Sequence, residues 1–303
     1  MSRRRKGQDV HGVILLDKPA GYSSNQAVQK VRWLFNARKA GHTGSLDPFA
    51  TGMLPICLGE ASKTAGFMLD ASKTYDATAF LGQSSTTGDT EGEVSREMPV
   101  PVLDPDRVIG VFAAFLGDIE QVPPMYSALK HEGQRLYQLA RAGREVERKA
   151  RPVHIFSLEL LGLDLPLMHF RVRCSKGTYI RTLAEDIAEK LGTCAHLKSL
   201  RRLEVQPFRE QDMISLDELT SLAEEEKAET GLLPVDSGLA GWPVVRLDAE
   251  QTVRFSHGNP VESITEKAGL VRVYGPDNLL LGLGEVTPEQ CLKPKRLMHI
   301  QPQ

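Results

Sequence analysis

The sequence predicts an α/β protein with a large first domain and a small β-rich domain at its end. Three observations support this fold class. Apolar runs of strand type alternate with segments of helical periodicity, hydrophobic residues make up 41% of the 303 residues against 25% charged ones, and two short strand patterns follow one another near the end. A chain of this length commonly folds as more than one domain. We therefore predict one domain at residues 1–246 and another at residues 247–303.

The first elements are predicted as a strand, a helix and a long loop. Residues 12–17 (GVILLD) form an apolar run that ends in a Pro/Gly turn at residues 18–21, as a buried strand would. A helix should follow, capped by Ser24 and ended near residues 40–41. Residues 41–59 are dense in Gly, Thr, Ser and Pro and exceed an ordinary connection in length, which favours a functional loop.

Strand and helix patterns continue through the rest of the chain. Residues 84–106 are predicted as an acidic surface loop, and residues 130–151 contain a short helix with little apolar surface to bury. The predicted strands are 75–81, 153–163, 167–174, 270–274 and 279–285, and the predicted helices begin at Asp104, Thr178 and Asp217. The strands at 153–163 and 167–174 can pair as one antiparallel ladder.

Charge is distributed unevenly although the total is nearly balanced. Lys and Arg number 37 against 39 Asp and Glu, a net charge of -2, so any nucleic-acid site must be local. Residues 130–151 hold seven basic and three acidic side chains, and residues 171–202 hold eight basic and three acidic ones. Residues 210–229 reverse this balance, with eight acidic side chains and one basic. The two basic segments are the candidates for phosphate contacts.

Several classes of protein are excluded at this level. No run reaches the roughly 18 apolar residues of a membrane span. Residues 1–6 (MSRRRK) are basic but precede no apolar run, so they are not a secretory signal and the predicted location is the cytoplasm. The cysteines lie far apart, without zinc-ligand spacing, and are predicted to be small buried hydrophobic side chains: Cys57, Cys174, Cys194 and Cys291.

Residues 41–52 (GHTGSLDPFATG) combine the side chains that chemistry needs. They contain one acid, Asp47, one imidazole, His42, three hydroxyls and three glycines that let the backbone turn sharply. The segment is not a P-loop, because no Gly-Lys-Ser/Thr ends it, and it is not a nucleophile elbow, because it lacks G-x-S-x-G. A single acid also argues against a metal-dependent phosphodiesterase, which needs clustered carboxylates or histidines.

Asp47 acquires a chemical role only together with other residues. By itself, an Asp before Pro commonly caps a turn. A carboxylate that acts on a sugar or a base must be ionised in a shaped pocket, beside a cation and an aromatic face. Tyr75, Tyr179 and Arg181 supply these residue types, although a strand aromatic and a surface arginine are equally ordinary interpretations.

Four motifs together identify a family resemblance. They are LLDKPAG at residues 15–21, GHTGSLDPFATGMLP at residues 41–55, KTY at residues 73–75 and SKGTYIR at residues 175–181. In wording, order and spacing they closely resemble the bacterial tRNA pseudouridine synthase B family. The resemblance covers essentially the whole chain. The motif around Asp47 is highly specific, whereas the Lys-Pro motif alone would be weak.

The resemblance implies a role for each candidate residue and no metal or cofactor. Asp47 would be the essential catalytic aspartate, Arg181 would pair with it, and Tyr75 would stack on the flipped uracil and help to remove the C5 proton. The remaining expected site residues are Lys18 and Pro19, which support the active-site loop, His42, Tyr179 and Leu200 at the substrate, and Lys130, Arg141, Arg144 and Arg148 at the RNA backbone.

The resemblance also implies the details of the fold. The first domain would have a pseudouridine synthase fold, with a mixed, largely antiparallel central sheet flanked by helices and a mobile basic thumb at about residues 124–152. The second would be a small PUA-like β-barrel. We expect a monomer that binds tRNA through its T-loop and acceptor stem, with the acidic segments 84–106 and 210–229 facing away from the RNA.

The predicted reaction converts the T-loop uridine at tRNA position 55 to pseudouridine. The uridine must first be flipped out, which costs roughly a few kcal/mol. Asp47 could attack the ribose C1′, add to the base or abstract a ribose proton, and all three routes need the same ionised carboxylate. Two alternatives stay open: a guide-RNA-dependent pseudouridine synthase and a non-catalytic tRNA-binding or folding protein. The basic insertion favours a stand-alone enzyme.

Overall fold

The structure is a computed structural model that describes residues 7–262 and 266–300. The basic tail at residues 1–6 lies outside the described residues. Within them the strands are β1 (Gly12–Lys18), β2 (Ala40–His42), β3 (Thr51–Leu58), β4 (Lys73–Leu81), β5 (Gln83–Ser85), β6 (Val94–Glu97), β7 (Gly117–Gln121), β8 (Lys130–His131), β9 (Gln134–Arg135), β10 (Arg151–Asp164), β11 (Leu167–Cys174), β12 (Ala195–Val205), β13 (Ile214–Ser215), β14 (Val244–Arg246), β15 (Gly269–Tyr274), β16 (Leu280–Val286) and β17 (Leu292–Leu297). The α-helices are α1 (Ser24–Leu34), α2 (Ala65–Met68), α3 (Pro105–Phe112), α4 (Leu136–Arg141), α5 (Ile180–Leu191), α6 (Leu216–Glu224) and α7 (Ala249–Ser256). Short 3₁₀ helices span Gly59–Lys63, Ala113–Phe115, Glu210–Asp212, Ala228–Gly231, Ser237–Leu239 and Pro276–Asn278.

A nine-stranded sheet forms the centre of the larger domain. Its order is β13-β1-β3-β12-β4-β11-β10-β7, and β2 pairs with β3 beside this path. Among the described strands of this sheet, only the pairs β1–β13 and β3–β12 are parallel. The predicted mixed, largely antiparallel sheet is therefore confirmed, and so is the ladder between β10 and β11.

One face of this sheet carries the main hydrophobic core. The residues of β4 alternate between buried and half-buried from Lys73 to Leu81, as expected for a strand with one face in the core. The buried face packs against the apolar stripes of α1, α3 and α5, whose members include Val31, Phe112 and Ile187. The predicted beginning of a helix at Asp104 is confirmed, because Asp104 caps α3, and Gly192 ends α5 in the left-handed conformation.

The three neighbouring strands β3, β12 and β4 place residues from distant parts of the sequence side by side across the sheet. Arg202 of β12 lies opposite Gly52 of β3 on one side and opposite Tyr75 of β4 on the other. Gly52 has a φ of +97°, and a Cβ added there would lie 2.2 Å from the Arg202 carbonyl oxygen. A residue without a side chain is therefore needed for this close approach of the strands. The loop before β3 consequently meets the middle of the sheet.

Three predictions about the first elements are wrong. Ser23, not Ser24, caps α1, because the Ser23 hydroxyl accepts the N–H of the third helical residue. Residues 40–41 form part of β2 instead of the end of the helix, and residues 51–58 of the predicted long loop form the buried strand β3. Pairing with neighbouring strands on both sides stabilises β3 in spite of its Gly and Pro residues.

The basic insertion forms a small unit beside the sheet. A hairpin of β8 and β9 leads directly into α4. The predicted short helix is confirmed, but it buries more apolar surface than predicted, since Leu136 and Leu139 are 3% and 5% exposed. These two side chains anchor the insertion, and its charged residues other than Arg148 are mostly exposed.

The terminal domain contains a separate four-stranded sheet in the order β14-β15-β16-β17. The strands predicted at 270–274 and 279–285 are confirmed as β15 and β16. A further bridge joins Val261 to Leu292. Because β14 pairs with β15, this sheet begins at Val244, while the boundary between residues 246 and 247 and the closure into a barrel stay predictions.

Polar contacts join the terminal sheet to the larger domain. Asp236 accepts hydrogen bonds from Arg272 Nη1 at 3.0 Å and from the Tyr274 hydroxyl at 2.6 Å. On the other side, Lys63 Nζ donates to the Leu297 carbonyl at 2.8 Å. These contacts tie β15 and β17 to residues outside their own sheet.

Among the described residues, no helix is long and apolar enough to cross a membrane. The four cysteines are free thiols. Cys57, Cys174 and Cys194 are buried as predicted, whereas Cys291 is only half-buried.

Candidate active site

Residues 43–50, which we call the Asp47 loop, connect β2 to β3 and are held by residues from outside the loop. The Ser24 hydroxyl donates to the Leu46 carbonyl at 2.9 Å and accepts the Leu46 N–H at 2.7 Å. The Gly21 N–H donates to the Pro48 carbonyl at 2.8 Å. The backbone is therefore fixed on both sides of Asp47. Ser23 caps the helix, so the Ser24 hydroxyl is available to the loop.

Lys18 extends from the end of β1 beneath the same loop. Its side chain is fully buried, and its ammonium group donates to the carbonyls of Pro19, Tyr22 and Pro48 at 2.9, 2.7 and 3.2 Å. Burial lowers the pKa of Lys18 to about 8, and the Asp47 carboxylate opposes this decrease. This geometry suits the predicted support of the loop by Lys18 and the half-buried Pro19.

Arg181 reaches Asp47 from the first turn of α5. Its Nε lies 3.0 Å from Asp47 Oδ2, while Nη1 and Nη2 donate to the carbonyls of Thr87 and Tyr126 at 2.6 and 2.7 Å. The Arg181 side chain is only 4% exposed, so it is not an ordinary surface residue of the helix. Contacts on every side of the planar guanidinium hold it in one orientation.

Asp89 is a second carboxylate at this site, which sequence analysis missed. Its side chain is 3% exposed, and its Oδ2 lies 3.5 Å from Arg181 Nη1. Its Oδ1 accepts the Glu91 N–H at 3.0 Å and the Thr87 hydroxyl. The prediction that residues 84–106 form a surface loop is therefore wrong at Asp89, where the chain turns back into the site. A polar run without periodicity contains no signal for such a return.

The Asp47 carboxyl lies at the mouth of the site, where 37% of its side-chain surface is exposed. Burial of the remaining surface raises the pKa of Asp47 above its ordinary value of 3.8. The positive charge of Arg181 lowers this pKa, the negative charge of Asp89 raises it, and Lys18 lowers it. The outcome is a carboxyl group with a raised pKa that a fixed cation keeps from rising further.

Two more side chains lie behind the Asp47 loop. Tyr75 is 7% exposed, and burial raises the pKa of its phenol while the charge of Arg202 opposes the rise. Arg202 itself is 1% exposed and donates to the carbonyls of Gly44 and Ser45. Sequence analysis counted Arg202 only as part of a basic segment.

His42 and Tyr179 flank the same region, and Leu200 belongs to the core next to it. His42 Nδ1 accepts the Gly44 N–H at 3.2 Å, and burial lowers the pKa of the imidazole. The backbone N–H of Tyr179 donates to Gln121 Oε1 at 2.7 Å, and burial raises the pKa of its phenol. Leu200 is 7% exposed and shares a hydrophobic cluster with Tyr75.

The four cations predicted to contact the RNA backbone fall into two groups. Lys130, Arg141 and Arg144 are exposed on the insertion. Arg148 is half-buried instead, because it donates to the Pro123 carbonyl at 3.2 Å and to Glu145 at 3.1 Å. The first group is available to a ligand, whereas Arg148 fastens the base of the insertion.

Half of the eight basic side chains in residues 171–202 are arginines that are buried or paired with carboxylates. Arg181 and Arg202 are buried, Arg171 makes two hydrogen bonds to Asp76, and Arg201 makes two to Asp17. The expectation that basic side chains of this segment contact phosphates is therefore wrong for the buried Arg181 and Arg202, and stays a prediction for the others. Within residues 7–262 and 266–300, no three His, Cys, Asp or Glu side chains gather as metal ligands would.

Family models match nearly the whole chain. The model of the TruB family pseudouridylate synthase N-terminal domain matches residues 32–180, and that of the tRNA pseudouridylate synthase B C-terminal domain matches residues 181–240. A third model, described as pseudouridine synthase II TruB, C-terminal, matches residues 243–298.

Curated relatives match over their full length. The tRNA pseudouridine synthase B of Nitrosococcus oceani is 51% identical over 99% of this chain and 98% of its own length. The proteins of the same name from Stutzerimonas stutzeri and Mannheimia succiniciproducens are 49% and 45% identical, covering 98% and 99% of this chain and 98% and 100% of their own lengths.

Solved structures share the fold. A Cbf5-Nop10-Gar1 complex contains a chain with a TM-score of 0.73 and 27% identity, covering 94% of this chain and 84% of that chain. An H/ACA RNP bound to a substrate RNA containing 2′-deoxyuridine has a TM-score of 0.74 at 23% identity, covering 99% of this chain and 92% of that chain, which supports the fold alone.

Proposed function

The chain belongs to the TruB family of pseudouridylate synthases, and on this premise we propose that it is a tRNA pseudouridine synthase that isomerises the T-loop uridine at tRNA position 55. The reaction breaks the bond between uracil N1 and the ribose C1′ and forms a bond between C5 and C1′. C5 loses its proton to the solvent and N1 gains one, so the composition of the nucleotide is unchanged. Asp47 is the catalytic carboxylate, and it acts in its ionised form.

The observation that carries this proposal is the ion pair of Asp47 with Arg181 at 3.0 Å, set in a loop whose backbone is fixed on both sides. A catalytic carboxylate has to be accessible, oriented and ionised at once. The exposed 37% of Asp47 supplies access, the tethered loop supplies orientation, and the fixed guanidinium favours the ionised form against burial.

The residues around Asp47 divide the remaining tasks. Tyr75 stacks on the flipped uracil and assists the removal of the C5 proton at the end of the reaction. Tyr179 contacts the target nucleotide, and Leu200 completes the apolar wall beside Tyr75. His42, with Nδ1 engaged by Gly44, holds its proton on Nε2 and helps to keep the RNA loop in its opened form.

Binding of the RNA requires contacts beyond the pocket. Exposed cations of the insertion contact phosphates of the T-arm, among them Lys130, Arg141 and Arg144. The terminal PUA-like domain contacts the acceptor stem, and its fixed attachment through Asp236 keeps a constant distance to the active site. We place the enzyme in the cytoplasm as a monomer. Sedimentation of the purified protein with and without tRNA tests the monomer.

The two alternatives make different demands. A guide-dependent enzyme would need partner proteins and a guide RNA for activity. The full-length relatives at 45–51% identity are named for action on tRNA, while the chain in the Cbf5-Nop10-Gar1 complex is 27% identical, so a stand-alone tRNA enzyme is favoured. A binding or folding protein without catalysis would have no use for the ionised, fixed carboxylate of Asp47.

The proposal is tested with unmodified tRNA transcripts labelled with tritium at uridine C5, under excess enzyme. The native chain should release about one tritium per tRNA, a transcript with cytidine at position 55 should release none, and Asp47→Asn should bind tRNA normally without release. Asp118→Asn, which changes an exposed carboxylate on the edge strand β7, is the matched control and should behave as native. No release by the native chain would reject the proposal, and release restored by a guide RNA with partner proteins would establish the alternative.

A further inference from the structure

Arg202 is the largest side chain in the described core, and it is buried without a carboxylate. Its relative exposure is 1%, and no salt bridge to it is found among residues 7–262 and 266–300. Its neighbour Arg201 points to the other side of β12 and pairs with Asp17 and Glu210. A buried cation is expensive unless its donors are satisfied, so the partners of Arg202 reveal what it does.

Three backbone carbonyls on the two sides of Asp47 accept hydrogen bonds from Arg202, and the guanidinium also interacts with the Tyr75 hydroxyl, whose pKa it lowers. Nη2 donates to Gly44 at 3.1 Å and Nη1 to Ser45 at 3.3 Å, on the N-terminal side of Asp47. Nε donates to the carbonyl of Met53, the third residue of β3, at 2.6 Å, on the C-terminal side of the loop. One planar group therefore spans the loop from its entry to its exit.

The backbone of Arg202 is fixed as firmly as its side chain. It pairs with Gly52 on one strand and with Tyr75 on the other, so the residue sits between the Asp47 loop and the strand that carries the aromatic ring. Gly44, with a φ of +139°, brings its carbonyl towards the guanidinium. A shift of Arg202 would move the loop and the position of Tyr75 together.

We propose that Arg202 is a positioning residue for the isomerisation, which sets the Asp47 carboxylate against the Tyr75 ring by holding the carbonyls of the Asp47 loop. This inference rests on the proposed function. Arg202 does not touch the substrate. It acts through the carbonyls of Gly44, Ser45 and Met53, and its removal should slow the chemical step while tRNA binding persists.

The electrostatics of the site agree with this central position. The positive charge of Arg202 opposes the rise that burial causes in the pKa of Tyr75, and it adds to the decrease that burial causes in the pKa of His42 and of Lys18. The buried charge of Arg202 therefore shifts the pKa values of residues from three separate segments. A residue with only a local packing role would not connect these segments.

The test uses the full chain with two replacements of Arg202 and one matched control. Arg202→Lys keeps the charge and the length but lacks the planar fork, and Arg202→Met keeps the volume without donors. Arg201→Met removes the adjacent arginine from the opposite side of the same strand. For each protein we would measure the thermal midpoint, the dissociation constant for tRNA and the single-turnover rate of tritium release well below the thermal midpoint.

A positioning role predicts a separation of these quantities. The single-turnover rate should fall about 10²-fold in Arg202→Met and about tenfold in Arg202→Lys. A displacement of a catalytic group by about 1 Å lowers the rate by factors of this order. The dissociation constant for tRNA should stay within about threefold of native for both, and Arg201→Met should keep a native rate.

Three other outcomes would overturn the inference. Native single-turnover rates in Arg202→Lys and Arg202→Met would show that the carbonyl contacts are dispensable. Equal rate losses in Arg201→Met would show a general effect of the strand, and a loss in affinity with an unchanged rate at saturating enzyme would place Arg202 in RNA binding. Inactivity of the native chain itself would reject the proposed function instead, which keeps the two failures distinct.

Discussion

Replacing Arg181 by methionine should move the acid limb of the pH–rate profile, where the rate falls as the pH drops, to higher pH. Only the ionised form of Asp47 is active, so the rate falls as the pH drops through the pKa of this carboxyl. Burial already raises that pKa above 3.8, and Arg181 is the main charge that opposes the rise. Removing this cation leaves burial and the charge of Asp89 opposed only by the weaker effect of Lys18, so a larger fraction of Asp47 is protonated at any acidic pH.

The size of this shift follows from the geometry. Charges 3.0 Å apart, the distance from Arg181 Nε to Asp47 Oδ2, interact by ~1.4 kcal/mol in water and by ~5.5 kcal/mol at an effective dielectric of about 20. Solvent reaches 37% of the Asp47 side chain, so screening favours the lower figure. A shift of about one pKa unit corresponds to ~1.4 kcal/mol. We therefore expect an upward shift of at least about one unit.

The assay is the single-turnover rate of tritium release from about pH 5 to about pH 8, with enzyme in excess over labelled tRNA. Arg181→Lys separates charge from geometry. It should keep the acid limb near its native position while the plateau falls, because one ammonium group cannot reproduce the contacts to Asp47, Thr87 and Tyr126 in their planar arrangement. In Arg181→Met with Asp89→Asn, the loss of the repelling charge should return the limb part of the way.

The reasoning fails if the acid limb of Arg181→Met coincides with the native limb or lies at lower pH. In that case the charge of Arg181 would not control the ionisation of Asp47, and its contacts would serve only to place the carboxylate. A limb that moves equally in Arg181→Lys and Arg181→Met would lead to the same conclusion.

Other parts of the structure lead to predictions of different kinds. Arg141→Gln and Arg144→Gln should each reduce the slope of log affinity for tRNA against log salt by about one unit, measured by filter binding; unchanged slopes would remove these side chains from the interface. Ser24→Ala should lose ~1–3 kcal/mol of stability in a denaturant melt and slow the single-turnover release of tritium. Ser23→Ala should lose only ~1 kcal/mol and keep the native rate. Equal rates in the two variants would contradict a role for Ser24 in the loop. Gly52→Ala should destabilise the protein by more than about 4 kcal/mol, since its Cβ would lie 2.2 Å from a carbonyl oxygen, and a native thermal midpoint would refute this close approach.

Much of the site could be predicted because its residues lie in contiguous motifs. Asp47, Tyr75, Arg181 and His42 belong to segments whose wording and order carry the family resemblance, and the structure brings all four into one region. The strands and helices with strong periodicity were predicted for a similar reason, since one buried face imposes a regular spacing on the sequence.

The residues that sequence analysis missed depend on contacts that no local pattern records. Asp89 reaches the site because the chain folds back from β5, and Arg202 reaches it because β12 is inserted between β3 and β4. Ser23 and Ser24 are chemically equal neighbours, and only the orientation of the helix decides which one caps it and which one binds the loop. The same holds for the basic segment at residues 171–202, whose arginines cannot be divided into buried and exposed ones before the partners of β12 and α5 are known.

The choice of hydrogen-bond acceptors around the loop has a functional consequence. Lys18 and Arg202 are buried beside Asp47 and bind carbonyl oxygens, so no partner carboxylate neutralises their charge. The charge of Lys18 therefore still acts on Asp47, where it lowers the pKa of the carboxyl against the effect of burial. A carboxylate partner for Lys18 would hold the loop equally well, but its negative charge would raise the pKa of Asp47. Uncharged acceptors thus allow the same side chains to fix the backbone of the loop and to keep its carboxylate ready to react.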